Sequence, residues 1–532
     1  MATRPTRKRA APKAQKTLVT ALAPAPRASK RARVAAEPAK PATSRRRPPK
    51  GESIESLPTT LAVINHAPEQ VLDVLMCGNG ENGELGLGPS RTEAPTPRGN
   101  PFLHAGTDTG FHVVQLDCGG MHTVALTKRN EIVTWGVNDN GALGRSTEWS
   151  GGLRDVDKDR DDDQSSSSSS SSDDGGLNPL ESTPAAIPAS AFPPNTTFVQ
   201  VAAGDSCSLA LTDKGFVYGW GTFKTRNGDE MFSYDTTKGR LVERQTTPAL
   251  IQGLAGITQI ACGANHALAL DAARGVVWTW GNAEQNQLGR RIVDSRQQHE
   301  RQQNKASLSL DTDVVGLIPQ PVHIRDVRYI ATGEYHSFAV DRRNNVWAWG
   351  FNGFGETGAD PQSAGRQGAD VLLPYPKRVR QLAGEKVAVL AGGGHHSVAV
   401  MTDGRCLAWG RLDIGQLGIK FREDQLSNQN YIRRDERGNP RICAYPTVVT
   451  APVGLVRHVA CGTDHTIFVS RDGSVYTTGF NAQGQLGLGH DDDVYVAQRV
   501  GSKAVDKRKI TWAGAGGQFS VLAGPHVASP VA

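Results

Sequence analysis

No stretch of this 532-residue chain is apolar for long enough to cross a bilayer, so no membrane partner is expected. The N-terminus has no apolar signal-peptide core, which argues against secretion. Cysteine is sparse: seven residues, an odd count with no Cys-x-x-Cys pair, the pattern of a reducing compartment and not of a disulfide framework. Cys77, Cys118, Cys207, Cys262 and Cys461 fall at equivalent places of a repeat, where a small buried hydrophobe fits. A Walker-type Gly-x-x-x-x-Gly-Lys-Ser/Thr is absent, and with it a nucleotide site of the chain's own. Helical periodicity is missing too. Gly78-x-Gly80-x-x-Gly83 matches the dinucleotide fingerprint, but no helix follows and its cousins recur as turn punctuation. No cofactor and no metal are expected.

What the chain does have is glycine, 59 of them, and a unit that returns seven times. The unit is a strand-like run, usually ending in Trp-Gly, followed by a turn that closes on Gly-x-Leu-Gly. It is first met at Met76-Cys77-Gly78, closing on Gly83-Glu84-Leu85-Gly86. It returns at Trp135-Gly136, Trp220-Gly221, Trp280-Gly281, Trp349-Gly350, Trp409-Gly410 and Thr478-Gly479. The steps between these glycines are 58, 85, 60, 69, 60 and 69 residues, too short for a unit to bury its own apolar face, so the units must stack into one fold. The other half of each unit is a Gly-x-x-His turn, as in Gly119-Gly120-Met121-His122, with Thr123-Val124-Ala125-Leu126 and Ile132-Val133-Thr134-Trp135 on either side of a short turn. Period-two alternation flanking a turn predicts a β-hairpin, and Asp403-Gly404 and Asp472-Gly473 supply that turn in two units. About four strands per unit make one propeller blade.

The phase of the repeat predicts how the ring closes. The Gly-x-Leu-Gly half at 72–86 has no Gly-x-x-His half before it, and the Gly-x-x-His-like half at 516–523 has no Trp-Gly half after it. Pairing the two completes a seventh blade and removes the open sheet edges. The fold class is therefore all-β, a seven-bladed β-propeller over 61–526 closed by its N- and C-terminal half-repeats, with a C-terminal tail at 527–532. An acidic, serine-rich loop at 154–176 accounts for the 85-residue step. Residues 1–60 read as a disordered tail. The first fifty hold fifteen Lys/Arg against Glu37, a charge of +14 that leaves −8 for the remainder of a chain whose net charge is +6. Such an arm suits an anionic partner such as DNA. Arg7, Lys8 and Arg9, and Arg45, Arg46, Arg47 and Lys50, form clusters of the nuclear-targeting kind, read by nuclear import receptors.

His122, His266, His336, His396 and His465 stand one per blade, too far apart to converge on one ion, and each imidazole is expected to bond the turn of its own blade. The tryptophans before glycine are expected to pack between blades. One blade breaks the pattern. Where Gly-x-Leu-Gly is due after Trp220-Gly221, the chain reads Thr222-Phe223-Lys224-Thr225-Arg226-Asn227-Gly228-Asp229. Asn-Gly predicts a projecting hairpin with a two-residue type I′ turn, carrying an exposed phenylalanine beside two cations as an interface anchor.

The runs Cys118–Leu126, Asn138–Arg145, Ala203–Ser206 and Glu284–Arg291 resemble the Regulator of Chromosome Condensation family over residues 61 to 526. With the blade-3 departure and the basic arm, the resemblance is to its chromatin-bound guanine-nucleotide exchange factors for the small GTPase Ran. It implies that one face of the propeller binds nucleotide-free Ran, supporting nucleocytoplasmic transport and mitosis, in the nucleus and on chromatin, with no covalent chemistry. It places a β-wedge on Phe223 to Asp229 and further contacts on Asp205 and His396. Three family positions are altered: Asn265 stands where Asp is common, Phe519 where His is common, and Glu81 where Asp is typical. The loop with Arg290, Arg291, Arg296 and Arg301 resembles the family segment that inserts arginine into the acidic patch of the histone octamer, implying nucleosome binding. Two other classes stand beside this reading. A propeller scaffold would recruit partners and exchange nothing. A propeller glycosidase or lyase would need convergent carboxylates on one rim, and none stand out from the repeat.

Overall fold

The computed structural model describes residues 62–107, 109–149, 176–292, 312–360, 362, 364–365, 371–450 and 453–527. The chain divides into Met1–Thr59 and Thr60–Ala532, and the second unit is the subject here. The basic tail, the loop at 154–175, and Arg296 and Arg301 lie outside the described residues.

The repeat folds as seven sheets, six of four strands and one of five. Their innermost strands touch in the order Val113–Cys118, Phe198–Ala203, Gln259–Cys262, Val327–Thr332, Val387–Gly392, Val456–Cys461, Trp512–Ala515 and back to Val113–Cys118, so the ring is closed. Blade 1 joins the chain ends: Leu72–Asn79 pairs antiparallel with Phe519–Pro525, from Leu72 opposite Pro525 to Gly78 opposite Phe519. Blade 6 takes Ile432–Arg434, from its polar insertion, as a fifth strand. No helix among the described residues exceeds five residues.

Each second strand of a blade is buried on both faces, which explains runs such as His266–Asp271 with every residue buried. Alternate side chains serve opposite neighbours: Ala267 and Ala269 join the apolar cluster between blades 3 and 4, Leu268 and Leu270 the one between blades 4 and 5. One such cluster fills each of the seven seams.

The innermost strand of each blade has an edge with nothing to pair with, and glutamine amides cover it. Gln115 accepts from the Val201 N–H at 2.8 Å and donates to the Val201 carbonyl at 3.2 Å. Gln200 does the same to Ile260, and Gln259 to Ile330. Tyr329 plays the part toward Leu390, and His458 reaches the Ala513 carbonyl.

The repeat histidines do not bond the turn of their own blade as expected; they bond the next blade. His122 Nε2 meets Ser208 Oγ at 2.9 Å, His266 meets Ser337 at 2.8 Å, His336 meets Ser397 at 2.7 Å, His396 meets Thr466 at 2.8 Å and His465 meets Ser520 at 3.0 Å. Each hydroxyl donates in turn to the carbonyl before the leucine position of Gly-x-Leu-Gly, as Ser337 does to Gln287. The same carbonyl takes a second bond from the tryptophan, as from Trp349 Nε1 at 2.8 Å. A carbonyl only accepts, so the hydroxyl hydrogen is committed to it and the imidazole must donate through Nε2. Glycine is required opposite the ring: a Cβ on Gly263 would lie 2.1 Å from His266 Cε1. The last glycine of Gly-x-Leu-Gly is likewise required, since a Cβ on Gly289 would sit 2.6 Å from the Trp349 ring.

Two junctions lack this relay. Phe519 faces Thr123 between blades 1 and 2, and the Thr123 hydroxyl is buried with only the weak Cys118 thiol beside it. Between blades 3 and 4, Cys207 replaces the histidine and Ala267 the serine, and blade 3 has no Gly-x-Leu-Gly carbonyl. Trp280 Nε1 is therefore buried without an acceptor. In place of the relay this junction has an apolar cluster around Cys207, Phe223, Phe232, Ala267 and Trp280.

Candidate interface at the channel mouth

The Gly-x-x-His turns ring one mouth of the axial channel, an opening of about 300 Å³ lined by Asp205, Asn265, Glu334, Thr463 and Gln518, among others. The turns that follow each Trp-Gly open toward the same end: the blade-3 hairpin there contacts Asn265 of this rim.

The mouth is acidic. Burial pushes the Glu334 carboxyl up, aided by Asp205 and Asp464, while Thr463 and the His395 imidazole pull it down. Asp205 is also raised by its crowded surroundings, against the pull of Lys224 and Ser206. Its side chain is nevertheless exposed, so the raised carboxyl is one a partner can touch. Burial pushes the Tyr335 phenol up to about 12. Beside these groups His395 lies tilted against Phe354, with ring centroids 4.6 Å apart and planes 32° apart. Arg411 and Arg441 stand 5.6 and 5.1 Å from the centre of the Phe354 ring, and Arg411 also reaches Asp464 at 3.3 Å. This aromatic and charged shelf of blades 5 to 7 was not read from the sequence. Its members sit at unlike places in their repeats, and only folding brings them together.

The blade-3 hairpin is present but differs from expectation in two ways. Phe223 is fully buried, stacked on Phe232 at 6.1 Å, and belongs to the core and not to a surface anchor. A strand pair of Phe223–Lys224 with Glu230–Met231 carries the turn. The Gly228 N–H bonds the Thr225 carbonyl and the Thr225 N–H bonds the Asp229 carbonyl, with Gly228 at φ +90°. That is a three-residue loop, Arg226-Asn227-Gly228, with glycine in the left-handed place, and not a two-residue type I′ turn. The projecting residues are Lys224, Thr225, Arg226, Asn227, Gly228 and Asp229, with Asp229 Oδ2 bound by the Thr225 hydroxyl.

Other candidates divide. Asn265 lies at the hairpin root, its Oδ1 accepting from the Lys224 N–H at 2.7 Å. Glu81 is exposed at a groove between blades 1 and 7, with Glu93, Gln483 and Asp491 nearby. His396 is fully buried in the relay and unable to touch a partner; its neighbour His395 is the one that reaches the shelf. Arg290 is a buried structural group. Its guanidinium bonds Thr279 and the carbonyls of Gly316 and Ile318, as Arg145 does with Thr134 in blade 2. Arg291 is exposed. His122, His266 and His396 are shifted to about 4, 3 and 3 by burial, so they are neutral spacers and not bases.

A closed seven-bladed ring with Gly-x-x-His relays and one blade carrying a projecting hairpin is the architecture of RCC1-like propellers. The model of the RCC1-like domain matches residues 73–522, and the chain belongs to that family. The guanine nucleotide exchange factor SRM1 of Saccharomyces cerevisiae is 37% identical over 464 residues, covering 86% of this chain and 88% of its own. Among solved structures, Prp20p of Saccharomyces cerevisiae, described with its binding to Gsp1p and histones, is 34% identical at a TM-score of 0.71, covering 86% of this chain and 93% of its own. Yeast RCC1 (Prp20) with Kap60 bound is 33% identical at a TM-score of 0.72, covering 90% of this chain and 96% of its own.

Proposed function

We propose that this chain is a guanine-nucleotide exchange factor that binds a Ran-type GTPase, such as the Gsp1p bound by Prp20p, and drives out its GDP on chromatin. The observation that carries this is the blade-3 hairpin. Blade 3 gives up its Gly-x-Leu-Gly and its histidine relay to project Lys224 to Asp229 beside an acidic mouth. The relative named as an exchange factor supports the same reading.

No bond to the nucleotide need be made or broken. A partner that prefers the empty GTPase weakens nucleotide binding by the same factor by which nucleotide weakens the partner's own. Turning a 1:99 population into 99:1 takes about 5.5 kcal/mol of differential affinity. The Lys224 and Arg226 cations and the Asp205 and Glu334 carboxylates are the groups we assign to it. With Phe223 in the core, the test falls on the tip. Lys224→Ala with Arg226→Ala is expected to slow mant-GDP release from a Ran-type GTPase at least tenfold, about 1.4 kcal/mol, with the melting temperature unchanged. Wild-type rates in that variant leave the rival reading, a scaffold of the same family.

Histone and import-receptor binding, known for Prp20, come to this chain through Arg291 and Arg296 and through the clusters Arg7–Arg9 and Arg45–Lys50, with the tail on DNA. The proposed location is nuclear chromatin.

A further inference from the structure

The projecting hairpin is held from the neighbouring blade. The Lys224 N–H donates to Asn265 Oδ1 at 2.7 Å, and the Lys224 carbonyl accepts from Asn282 Nδ2 at 2.8 Å. Two residues on, the Arg226 N–H donates to Glu284 Oε2 at 2.7 Å. Asn282 and Glu284 brace each other: Asn282 Nδ2 also reaches Glu284 Oε2 at 3.1 Å, and the Glu284 N–H donates to Asn282 Oδ1 at 2.7 Å. Both groups of the Lys224 backbone and the first amide of the turn are thus fixed by blade 4.

Blade 4 differs here from blades 2, 5 and 7 and matches blade 1, where Asn79 also follows the glycine, accepts from the Glu81 N–H at 2.7 Å and sends its amide across the seam to Gln483 Oε1 at 2.6 Å. In blades 2, 5 and 7 the residue after the Trp-Gly-type glycine is Val137, Phe351 or Phe480. The residue after that is Asn138, Asn352 or Asn481. Each of those asparagines accepts from an amide of its own blade's loop, at Leu143, Thr357 and Leu486. In blade 4 the corresponding place is Ala283. The asparagine stands one residue earlier, at Asn282, is 5% exposed, and sends its amide across the seam. The seam it crosses is the one that lacks the His–Ser relay and leaves Trp280 Nε1 unpaired. Beyond this clamp the hairpin is held by Asn265 at the Lys224 N–H, by Phe223 packing and by the Arg244–Glu230 ion pair at 2.7 Å.

We propose that Asn282 and Glu284 are positioning residues for nucleotide release: they fix the Lys224–Asp229 hairpin in its projecting pose, so that its ordering cost is met before the GTPase arrives. This rests on the exchange reading above. A group engaged only as the GTPase empties raises the turnover rate and leaves KM nearly unchanged, and preorganisation acts on that same step.

The test joins two measurements on the full chain. Trypsin cleavage after Lys224 and Arg226 reports whether the hairpin opens, with no GTPase present. Mant-GDP release from a Ran-type GTPase reports exchange. Asn282→Ala and, separately, the exposed-site variant Glu284→Ala are expected to speed cleavage and to lower kcat, each by about tenfold, with KM within about twofold. Glu284→Gln keeps an oxygen acceptor for the Arg226 N–H and is expected to restore both. Unchanged cleavage in both alanine variants overturns the clamp. Faster cleavage with wild-type kcat overturns the positioning role. A rise in KM alone, not rescued by Gln, overturns it in favour of direct contact with the partner. Wild-type protein that releases no nucleotide from the GTPase sinks the exchange reading and the positioning role with it. The cleavage assay then still tells whether blade 4 holds the hairpin.

Discussion

Three side chains whose chemistry suggested contact with a partner are buried, and each is explained by its neighbours. Arg290 looks like the first of a basic loop, but it follows the closing Leu288-Gly289 directly, as Arg145 follows Leu143-Gly144 in blade 2. In both blades the guanidinium turns inward onto a threonine, Thr279 or Thr134. That recurrence was readable in the sequence; the loop carbonyls of Gly316 and Ile318 that complete the site were not, being 26 and 28 residues away. Phe223 and His396 show the same limit, because an aromatic ring or imidazole reads alike on a surface and in a seam. Arg290→Ala should therefore act on stability. Leaving two buried carbonyls unpaired costs about 1–3 kcal/mol, whereas Arg291→Ala stays within about 0.5 kcal/mol. Denaturant unfolding of the two variants separates them, and equal losses would place Arg290 on the surface after all.

At the scale of the blade, the Trp-Gly and Gly-x-x-His signatures were legible because they repeat. Their meaning was not, because the partner of each histidine is a serine or threonine about 55 to 86 residues further on. The two exceptions sharpen the physics. Ser397 links His336 to the Glu356 carbonyl, so Ser397→Ala strands a buried Nε2–H and is expected to cost about 1–3 kcal/mol. Thr123 stands at the same place opposite Phe519, where there is no imidazole to receive. Thr123→Val keeps the shape, removes a hydroxyl without a partner, and is expected to be neutral or slightly stabilising. Chemical denaturation of this pair decides: a loss at Thr123→Val as large as at Ser397→Ala would mean that the relay is not what holds the seams.

At the scale of the ring, closure was legible from the phase of the half-repeats, since only their pairing leaves no blade incomplete. The glutamine staples were not, because a polar residue in an inner strand carries no sign of which edge it covers. The relay histidines also give the whole molecule a pH response whose sign follows from their burial. His122 and His465 are lowered to about 4, His266 and His396 to about 3, and His336 well below its ordinary value, mainly by burial. Unfolded, each titrates near 6.5. Between that value and their folded values the unfolded chain binds more protons, so stability is full above pH 6.5 and falls as pH drops. At pH 5.5 each histidine contributes a loss of about 1.4 kcal/mol, and the five together about 7 kcal/mol. Asp117 opposes this: burial raises its carboxyl to about 6, so its protonation favours the fold on acidification, as does that of Glu334, Asp205 and Glu181, which burial also raises. These four carboxyls stand against five relay imidazoles and His458, which burial also lowers, and the net slope stays positive. Denaturant midpoints measured from pH 7.5 to 5.0 should fall steeply below 6.5, and His336→Gln should remove about one proton from the slope. A flat profile down to pH 5.5 would show that the relay accepts charged imidazole, which a hydroxyl committed to a carbonyl and an Nδ1 with no partner do not allow.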